Sequence, residues 1–405
     1  MVNRYGTDNN DTLVGTSRSD RLEGRGGADV LFGRGGRDIL LGGAGDDYLH
    51  LGIDGQYSDI SGSQLDGGDG FDWAYISLFG VTQNIRIGSD LGRITANDGD
   101  GSVTRTLVTM DGIERLTAYL GSGDDYVHVQ SNAASIWAAD GRDRLVGGDL
   151  IDLFHGEGDD DVLFGNGGDD TLNGGAGDDR IYGGAGIDAV DGGEGQDYLY
   201  GGDGNDSISG GLGQDRIHGD AGDDMLSGWV DDDVIFGDAG NDVITGEWGA
   251  DRLYGGVGDD RLDGGDDRDM LDGGDGSDIV RGGNGNDRIY GGLGADQLYG
   301  GAGRDRFVWR SLAEGGDTVQ DFDRGQDRLV IAGDAVGGIA SVDATNFVSN
   351  ANGVAEDAGD RFLFARGTHQ LFFDPDGTGS AAPSLIATIV FNSGTQITAS
   401  DILIG

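Results

Sequence analysis

Gly174 to His218 reads GGAGDDRIY, GGAGIDAVD, GGEGQDYLY, GGDGNDSIS and GGLGQDRIH, one nonapeptide written five times in succession. The register runs without insertion or deletion from Leu120 to Val308, which is 21 units. Five more units occupy Gly6 to His50, and one occupies Gly67 to Tyr75. The sixth residue is Asp in 26 of these 27 units, Ala134 being the exception, and the eighth is apolar in all 27. Glycine fills most first, second and fourth positions.

Those columns define a fold. In Arg180-Ile181-Tyr182 one apolar side chain stands between two that point the other way, so the triplet reads as a short strand. The six residues before it reverse the chain, and glycine supplies the left-handed torsions that a tight reversal needs. Two units make one coil of 18 residues, with a strand and a turn on each side. Stacked coils give two parallel sheets with about 4.8 Å per layer. The expected class is all-β: a right-handed parallel β-roll, or β-helix solenoid, whose eighth-position residues form a thin double column. One medium apolar side chain per nine residues falls short of the entropy lost in ordering those nine, so burial alone does not hold such a roll together.

Composition points to what does. Of 405 residues 85 are Gly, 2 are Pro and none is Cys, and the formal net charge is −48. A compact body with that charge repels itself. Low hydropathy with high charge is otherwise the mark of disorder, but here the charge is mostly Asp at fixed spacing. Regular carboxylates beside glycines imply a cation ligand set. The lack of Cys excludes disulfides and thiolate metal sites. The negative surface argues against nucleic acid and against anionic membranes as partners. MVNRYGTDNNDTLVG has no apolar core of a cleavable signal peptide, and no apolar run reaches transmembrane length, so export is expected to use another address.

The pattern GGxGxDxUx resembles the RTX (repeats-in-toxin) nonapeptide, a calcium-binding β-helix repeat. The resemblance covers residues 6 to 50, 67 to 75 and 120 to 308. It implies that Ca²⁺ sits between same-side turns of neighbouring coils, so that Asp179 and Asp197 share an ion and glycine-turn carbonyls complete the shell. Oxygen donors in a flexible cage suit Ca²⁺, whereas Zn²⁺ would want His or Cys. Carried over the repeats, the ligands are Asp29, Asp38, Asp47, Asp72, Asp125, Asp143, Asp161, Asp170, Asp179, Asp188, Asp197 and Asp206. They continue as Asp215, Asp224, Asp233, Asp242, Asp251, Asp260, Asp269, Asp278, Asp287, Asp296 and Asp305. On the order of twenty ions would nearly match the formal charge. Leu150, Asp231, Asp267, Asn9 and Arg18 replace the fourth-position glycine and Ala134 removes a carboxylate, so incomplete or absent ions are expected there.

The outward columns carry a second pattern. Arg144, Arg180, Arg216, Arg252 and Arg288 recur every 36 residues, and DRIY, DRIH and DRLY set Arg and an aromatic two residues apart. Aromatic ladders that stiffen a parallel sheet account for this. A binding face for an anionic or neutral glycan, or for a second copy of the chain, accounts for it too, through Arg180, Tyr182, Tyr200, Arg216, Arg252, Tyr254, Arg288 and Tyr290.

The reading divides the chain into an N-terminal repeat block (1–75), a β insertion (76–119), the main roll (120–308) and a C-terminal region (309–405). Residues 51 to 66 form a short loop, and residues 76 to 119 read as a β-hairpin excursion turning at NDGDG, which rejoins the stack at Ile113 to Leu120. DTVQDFDRGQDRLVI resembles the segment that follows the roll in serralysin-type proteases and related lipases. The last residues resemble the C-terminal end of type I secretion substrates, which implies an uncleaved export signal, the type I secretion apparatus as a partner and an extracellular location. Strands there should cap the roll's open edge. Asp374-Pro375-Asp376-Gly377 lacks the terminal Glu of an EF-hand and reads as a hairpin turn. No HExxH, GxSxG or Walker A lysine is present, and the repeats begin at residue 6, so no enzyme is expected.

Overall fold

The computed structural model describes residues 1–52, 60–87, 92–97, 104–130, 132–393 and 396–405. Apart from three single-turn 3₁₀ helices, the regular structure of the described residues is all strand. The chain forms two compact units, Met1–Ser207 and Ile208–Gly405.

In the first unit the coil repeats every 18 residues. The strand Arg180–Ala185 pairs in parallel with Val162–Gly167 before it and Tyr198–Asp203 after it, in the register Val162↔Arg180↔Tyr198. On the other side Thr171–Ala176 lies parallel to both Leu153–Gly158 and Ala189–Glu194. These strands are six residues long, not three. They run from the seventh position through the third of the next unit, because the first two glycines continue the parallel pairing (Asn166↔Gly184) instead of turning. The reversal is therefore left to positions four to six.

The core is the double column expected. Leu163, Ile181 and Leu199 on one sheet and Phe154, Leu172 and Val190 on the other are buried. Their neighbours in sequence point outward, as the period of two in a strand requires.

The expected excursion is built into the sheet. Thr104–Asp111 pairs in parallel with Ser63–Asp69, and Asn84–Ile87 pairs in parallel with Tyr126–His128. Arg93–Asn97 lies antiparallel between the two. Three strands thus stand where the roll would have one, while the opposite sheet receives the single strand Arg115–Tyr119 between Trp73–Ser77 and Ala133–Trp137. Residues 98–101 of the NDGDG turn and 53–59 of the expected 51–66 loop lie outside the described residues, and from Ser63 that loop is already the strand Ser63–Asp69.

In the second unit the same coil runs from the strand Arg216–Ala221 to Arg306–Trp309. The parallel register then survives two longer connections, as Leu298↔Val319 and Arg306↔Arg328. Ser384–Ser393 and Ile402–Ile404 pair with those last strands and close the end. Phe322, Phe364, Ile389 and Trp309 are buried there. Asp374-Pro375-Asp376-Gly377 forms a turn between the antiparallel strands Gln370–Phe373 and Ser384–Ser393, with Asp374 Oδ1 accepting the Asp376 and Gly377 amides.

Truncating a core residue should cost far more than truncating its outward neighbour. Ile181→Ala is expected to destabilise the calcium-loaded protein by about 2–5 kcal/mol and Arg180→Ala by under about 1 kcal/mol, read from thermal unfolding. Equal costs would contradict the two-sheet core.

Candidate metal centres

Each turn buries its sixth-position aspartate. Asp161, Asp179 and Asp188 are at most 2% exposed, and the other aspartates of the expected ligand set, from Asp29 to Asp305, are buried alike. One oxygen of each carboxylate is fixed by the preceding coil: the amide of Asp161 donates to Asp179 Oδ1 at 2.7 Å, and that of Asp170 to Asp188 Oδ1 at 2.8 Å. The same bond joins Asp179 to Asp197 and Asp188 to Asp206, and in the second unit Asp215 to Asp233 and Asp224 to Asp242. This amide-to-carboxylate ladder fixes the 18-residue register from inside the turns.

The second oxygen has no hydrogen-bond partner in Asp29, Asp38, Asp47, Asp72, Asp125, Asp143, Asp161, Asp170, Asp179 and Asp188, nor in Asp233, Asp242, Asp251, Asp260, Asp269, Asp278, Asp287 and Asp305. A buried acceptor left bare is costly, and a buried carboxylate more so. The oxygens are not scattered. A Cβ on Gly174 would collide with Asp179 Oδ2 and come within 2.7 Å of the Gly192 carbonyl of the next coil, and Gly165 and Gly183 repeat the arrangement with Asp170 and Asp188. The first glycine thus leaves a cradle in which a carboxylate oxygen and a carbonyl oxygen converge. Hard, anionic oxygen donors without nitrogen or sulfur fit Ca²⁺. Bound there, it would supply the charge that these carboxylates lack.

Electrostatics point the same way. Burial pushes Asp161 up to about 8, and Asp179, Asp159 and Asp160 add repulsion that the Asp143 amide only partly offsets. Asp143 is pushed to about 9, first by burial and then by Asp125 and Asp161. Asp179, Asp188, Asp251 and Asp260 reach about 6, with burial the leading cause in each.

A backbone torsion separates these turns from the exceptions. The second residue is left-handed in Gly175 (φ 109°) and in the non-glycine Glu157, Asn166, Trp229 and Glu247. Thr7 and Thr16 do not adopt that torsion. Their amides and hydroxyls donate to Asp11 Oδ2 and Asp20 Oδ2 at 2.6 to 2.8 Å, which leaves those carboxylates satisfied. Gly148 likewise donates to Asp152 Oδ2 at 3.0 Å. Asp125 keeps a bare oxygen although Gly121 lacks the torsion. The three closed turns are those of Asn9, Arg18 and Leu150. The sequence signal for two of them was the β-branched threonine, which avoids positive φ. Ala134 keeps its amide bond to Asp152 Oδ1 but offers no oxygen.

Sequence reasoning stopped the ladder at Asp305, but it continues. Asp296 donates to Asp317 Oδ1 and Asp305 to Asp327 Oδ1, both at 3.1 Å, across steps of 21 and 22 residues. The signal was present as Asp-x-apolar in Asp317-Thr318-Val319 and Asp327-Arg328-Leu329.

The outward face carries aromatic ladders. Phe164, Tyr182 and Tyr200 stack at 4.8 and 5.0 Å, and His218, Phe236 and Tyr254 at 4.5 and 4.8 Å. Arg180 lies over Tyr198 and Arg216 over Phe236, both aromatics of the next coil, while Arg216 also meets His218 two residues on. Arg252 is exposed, and Arg288 does lie over Tyr290 at 5.1 Å. Tyr290, expected on the exposed face, is 5% exposed, covered by Arg310 at 3.8 Å, which Asp272 holds at 2.6 Å. Ligand atoms of His218, Asp220 and Asp238 come within 4.8 Å of one another, but Arg216 Nε donates to His218 Nε2, so the cluster already contains a fixed cation.

A family model described as RTX calcium-binding nonapeptide repeat (4 copies) matches in overlapping copies over residues 5–54 and 137–307, more than half of the chain. No curated protein matches it. Among solved structures, the extracellular lipase LipA from Serratia marcescens is similar at 16% identity and a TM-score of 0.17, a likeness that carries no argument. The match covers 100% of this chain but only 40% of that lipase.

Two outcomes follow from the bare carboxylates. In chelator the raised Asp groups bind protons in the folded state that the unfolded chain releases near 3.8. Their contribution is therefore complete below that value and lost as pH rises through about 6 to 9. Circular dichroism in chelator should show more β structure at about pH 5 than at about pH 8, with calcium abolishing the difference; more structure at the higher pH would contradict the assignment. Thr16→Gly should open a closed turn and add bound calcium, counted by elemental analysis. An unchanged count would show that the threonine does not decide occupancy.

Proposed function

This chain belongs to the family of RTX calcium-binding nonapeptide repeats, and from that membership we propose that it is a non-enzymatic extracellular component, an adhesin or matrix or surface-layer protein that acts through its calcium-stiffened roll. Calcium is its partner and the family is typically secreted. The observation that carries the reading is the ladder of buried carboxylates such as Asp161, Asp179 and Asp188, with one oxygen tied to the neighbouring coil and the other facing a carbonyl with no donor. A roll built this way is a poor structure without metal and a rigid one with it.

Export fits the same chemistry. Cytosolic calcium, micromolar or lower, leaves the chain unfolded and threadable, and millimolar calcium outside folds it and prevents return. The 309–405 region serves as cap and export address for a type I secretion apparatus. On the order of twenty ions per chain fill the turns. Among the described residues no helix is long and apolar enough to cross a membrane.

A second reading has the outward face of Arg180, Tyr182, Tyr200 and Tyr254 binding polysaccharide. Its support is that these rings stand half-exposed in unbroken stacks. Replacing Tyr182, Tyr200 and Tyr254 by Ser should then abolish glycan binding and leave calcium-dependent folding intact.

Calcium titration followed by circular dichroism, with retention on producing cells or their matrix, tests the leading reading. The expected result is β structure and retention that rise together with calcium and are both lost in chelator at neutral pH. Full β structure in chelator, or hydrolytic turnover of glycan or lipid by the folded protein, would overturn it.

A further inference from the structure

All 26 cationic residues of this chain are arginine. Several repeat arginines rest on a ring of the same sheet, as Arg144 does on Phe164 and Arg216 on Phe236. A row in the second unit sets arginine beside arginine instead, although Arg288 also lies over Tyr290. Arg288, Arg306 and Arg328 stand opposite one another on adjacent parallel strands, in the register Arg288↔Arg306↔Arg328. Arg268 and Arg304 line the turn edge facing them. With Asn286 and Gln326 these residues wall an open hollow of about 420 Å³ with Asp287 and Asp305 also in its lining. An adjoining hollow shares Arg268 and Arg288 and adds Arg252.

Like charges directly opposite across a sheet destabilise it. In a chain of net charge −48, carboxylates to neutralise them are abundant. Yet among the described residues the side chains of Arg252, Arg304 and Arg306 make no hydrogen bond, ion pair or ring contact. The three-arginine row arises where the alternation of Arg with Val234 and Met270 ends: Arg306 follows Arg288 one coil of 18 residues on, and Arg328 follows Arg306 across the step of 22.

We propose that this arginine groove binds a strand of acidic polysaccharide, whose carboxylate or sulfate groups seat on Arg288, Arg306 and Arg328 and are met from the facing wall by Arg268 and Arg304. Guanidinium is the side chain suited to bidentate recognition of planar oxyanions. Rows repeating at about 4.8 Å per strand match a polymer that presents an anion on successive monomers. Nucleic acid fits less well. Tyr290, on the same strand as Arg288, is buried, so this strand offers no aromatic platform for bases. The acidic body also repels a polymer with a phosphate on every nucleotide more strongly than a less densely charged glycan. Asp287 and Asp305 repel any anion until they hold calcium, so the site rests on the calcium reading and binding is calcium-dependent.

The test is calorimetric titration of the full chain, saturated with calcium and shown folded by circular dichroism. The probes are a short oligogalacturonide, a sulfated oligosaccharide, the neutral methyl ester of the first, and single-stranded DNA. We expect one or both anionic oligosaccharides to bind, with affinity falling as salt rises, and the neutral ester not to bind. The combined variant Arg288→Gln, Arg306→Gln, Arg328→Gln should lose at least about tenfold in affinity, the scale of one charge-assisted contact. Arg144→Gln, in a residue that rests on Phe164 away from the groove, should lose nothing. If the triple variant fails to fold, Arg304→Gln, a substitution in a turn, must weaken binding instead. Equal binding of the neutral ester, tighter binding of DNA, an undiminished variant, or no binding by the folded chain would each overturn the groove. A chain that does not fold in calcium counts against the calcium reading, which separates the two failures.

Discussion

The structure depends on a carboxylate placed where a carboxylate should not be. A typical coil tucks an aspartate such as Asp179 under its own turn, spends one oxygen on the amide 18 residues earlier, and leaves the other against a neighbouring carbonyl. Desolvation alone penalises the charged form, and stacking one such group above another multiplies the penalty. The hydrogen-bond ladder cannot be given up, because the same oxygen that costs energy sets the register. A slip of one residue would turn every core side chain outward. The cation is therefore not an addition to a finished fold: register and charge compensation are carried by the same side chain.

Glycine makes that placement possible in two distinct ways. At the first position it leaves room: any Cβ on Gly174 would occupy the space between Asp179 Oδ2 and the Gly192 carbonyl. At the second position it supplies a torsion, and other residues accept the strain instead, among them Glu157 and Trp229. Thr7 and Thr16 refuse it, and their turns close on themselves without a metal. Two positions in a nine-residue motif thus carry different parts of the chemistry, one steric and one conformational.

The repeat columns made the coil, its two sheets and its core legible, because Asp at position six and an apolar residue at position eight have no other consistent reading. What was misread has a common cause. Strand length was underestimated because the glycines of Gly183-Gly184 look like turn residues, whereas they pair with the coil below. The spacing of Arg and aromatic within one unit marks the outward face, but it does not show that a parallel stack also lays an arginine on a ring of the next coil, as with Arg216 and Phe236. Asp317 and Asp327 were passed over because their steps of 21 and 22 break the period while preserving the geometry. Tyr290 looked outward by register, and only the folded path of Arg310 covers it. In each case the sequence shows the chain's own period, and contacts between coils decide the outcome.

The two terminal regions solve a problem that the repeats cannot. A stack of identical coils leaves its first and last layers with unpartnered amides and a bare apolar column. At the beginning of the first unit, threonines satisfy Asp11 and Asp20 from within their own turns, and the Val2 amide reaches Asp20 Oδ1 at 2.6 Å. Hydrogen bonding there outweighs burial, and Asp20 stays below the usual carboxylate range. At the end of the second unit the solution is apolar: Phe322, Ile389 and Ile402 cover the last coil, and Trp309 donates its indole hydrogen to Asp317 Oδ2 at 2.7 Å. Both ends thus supply to their aspartates, from the protein itself, what the open turns obtain from calcium.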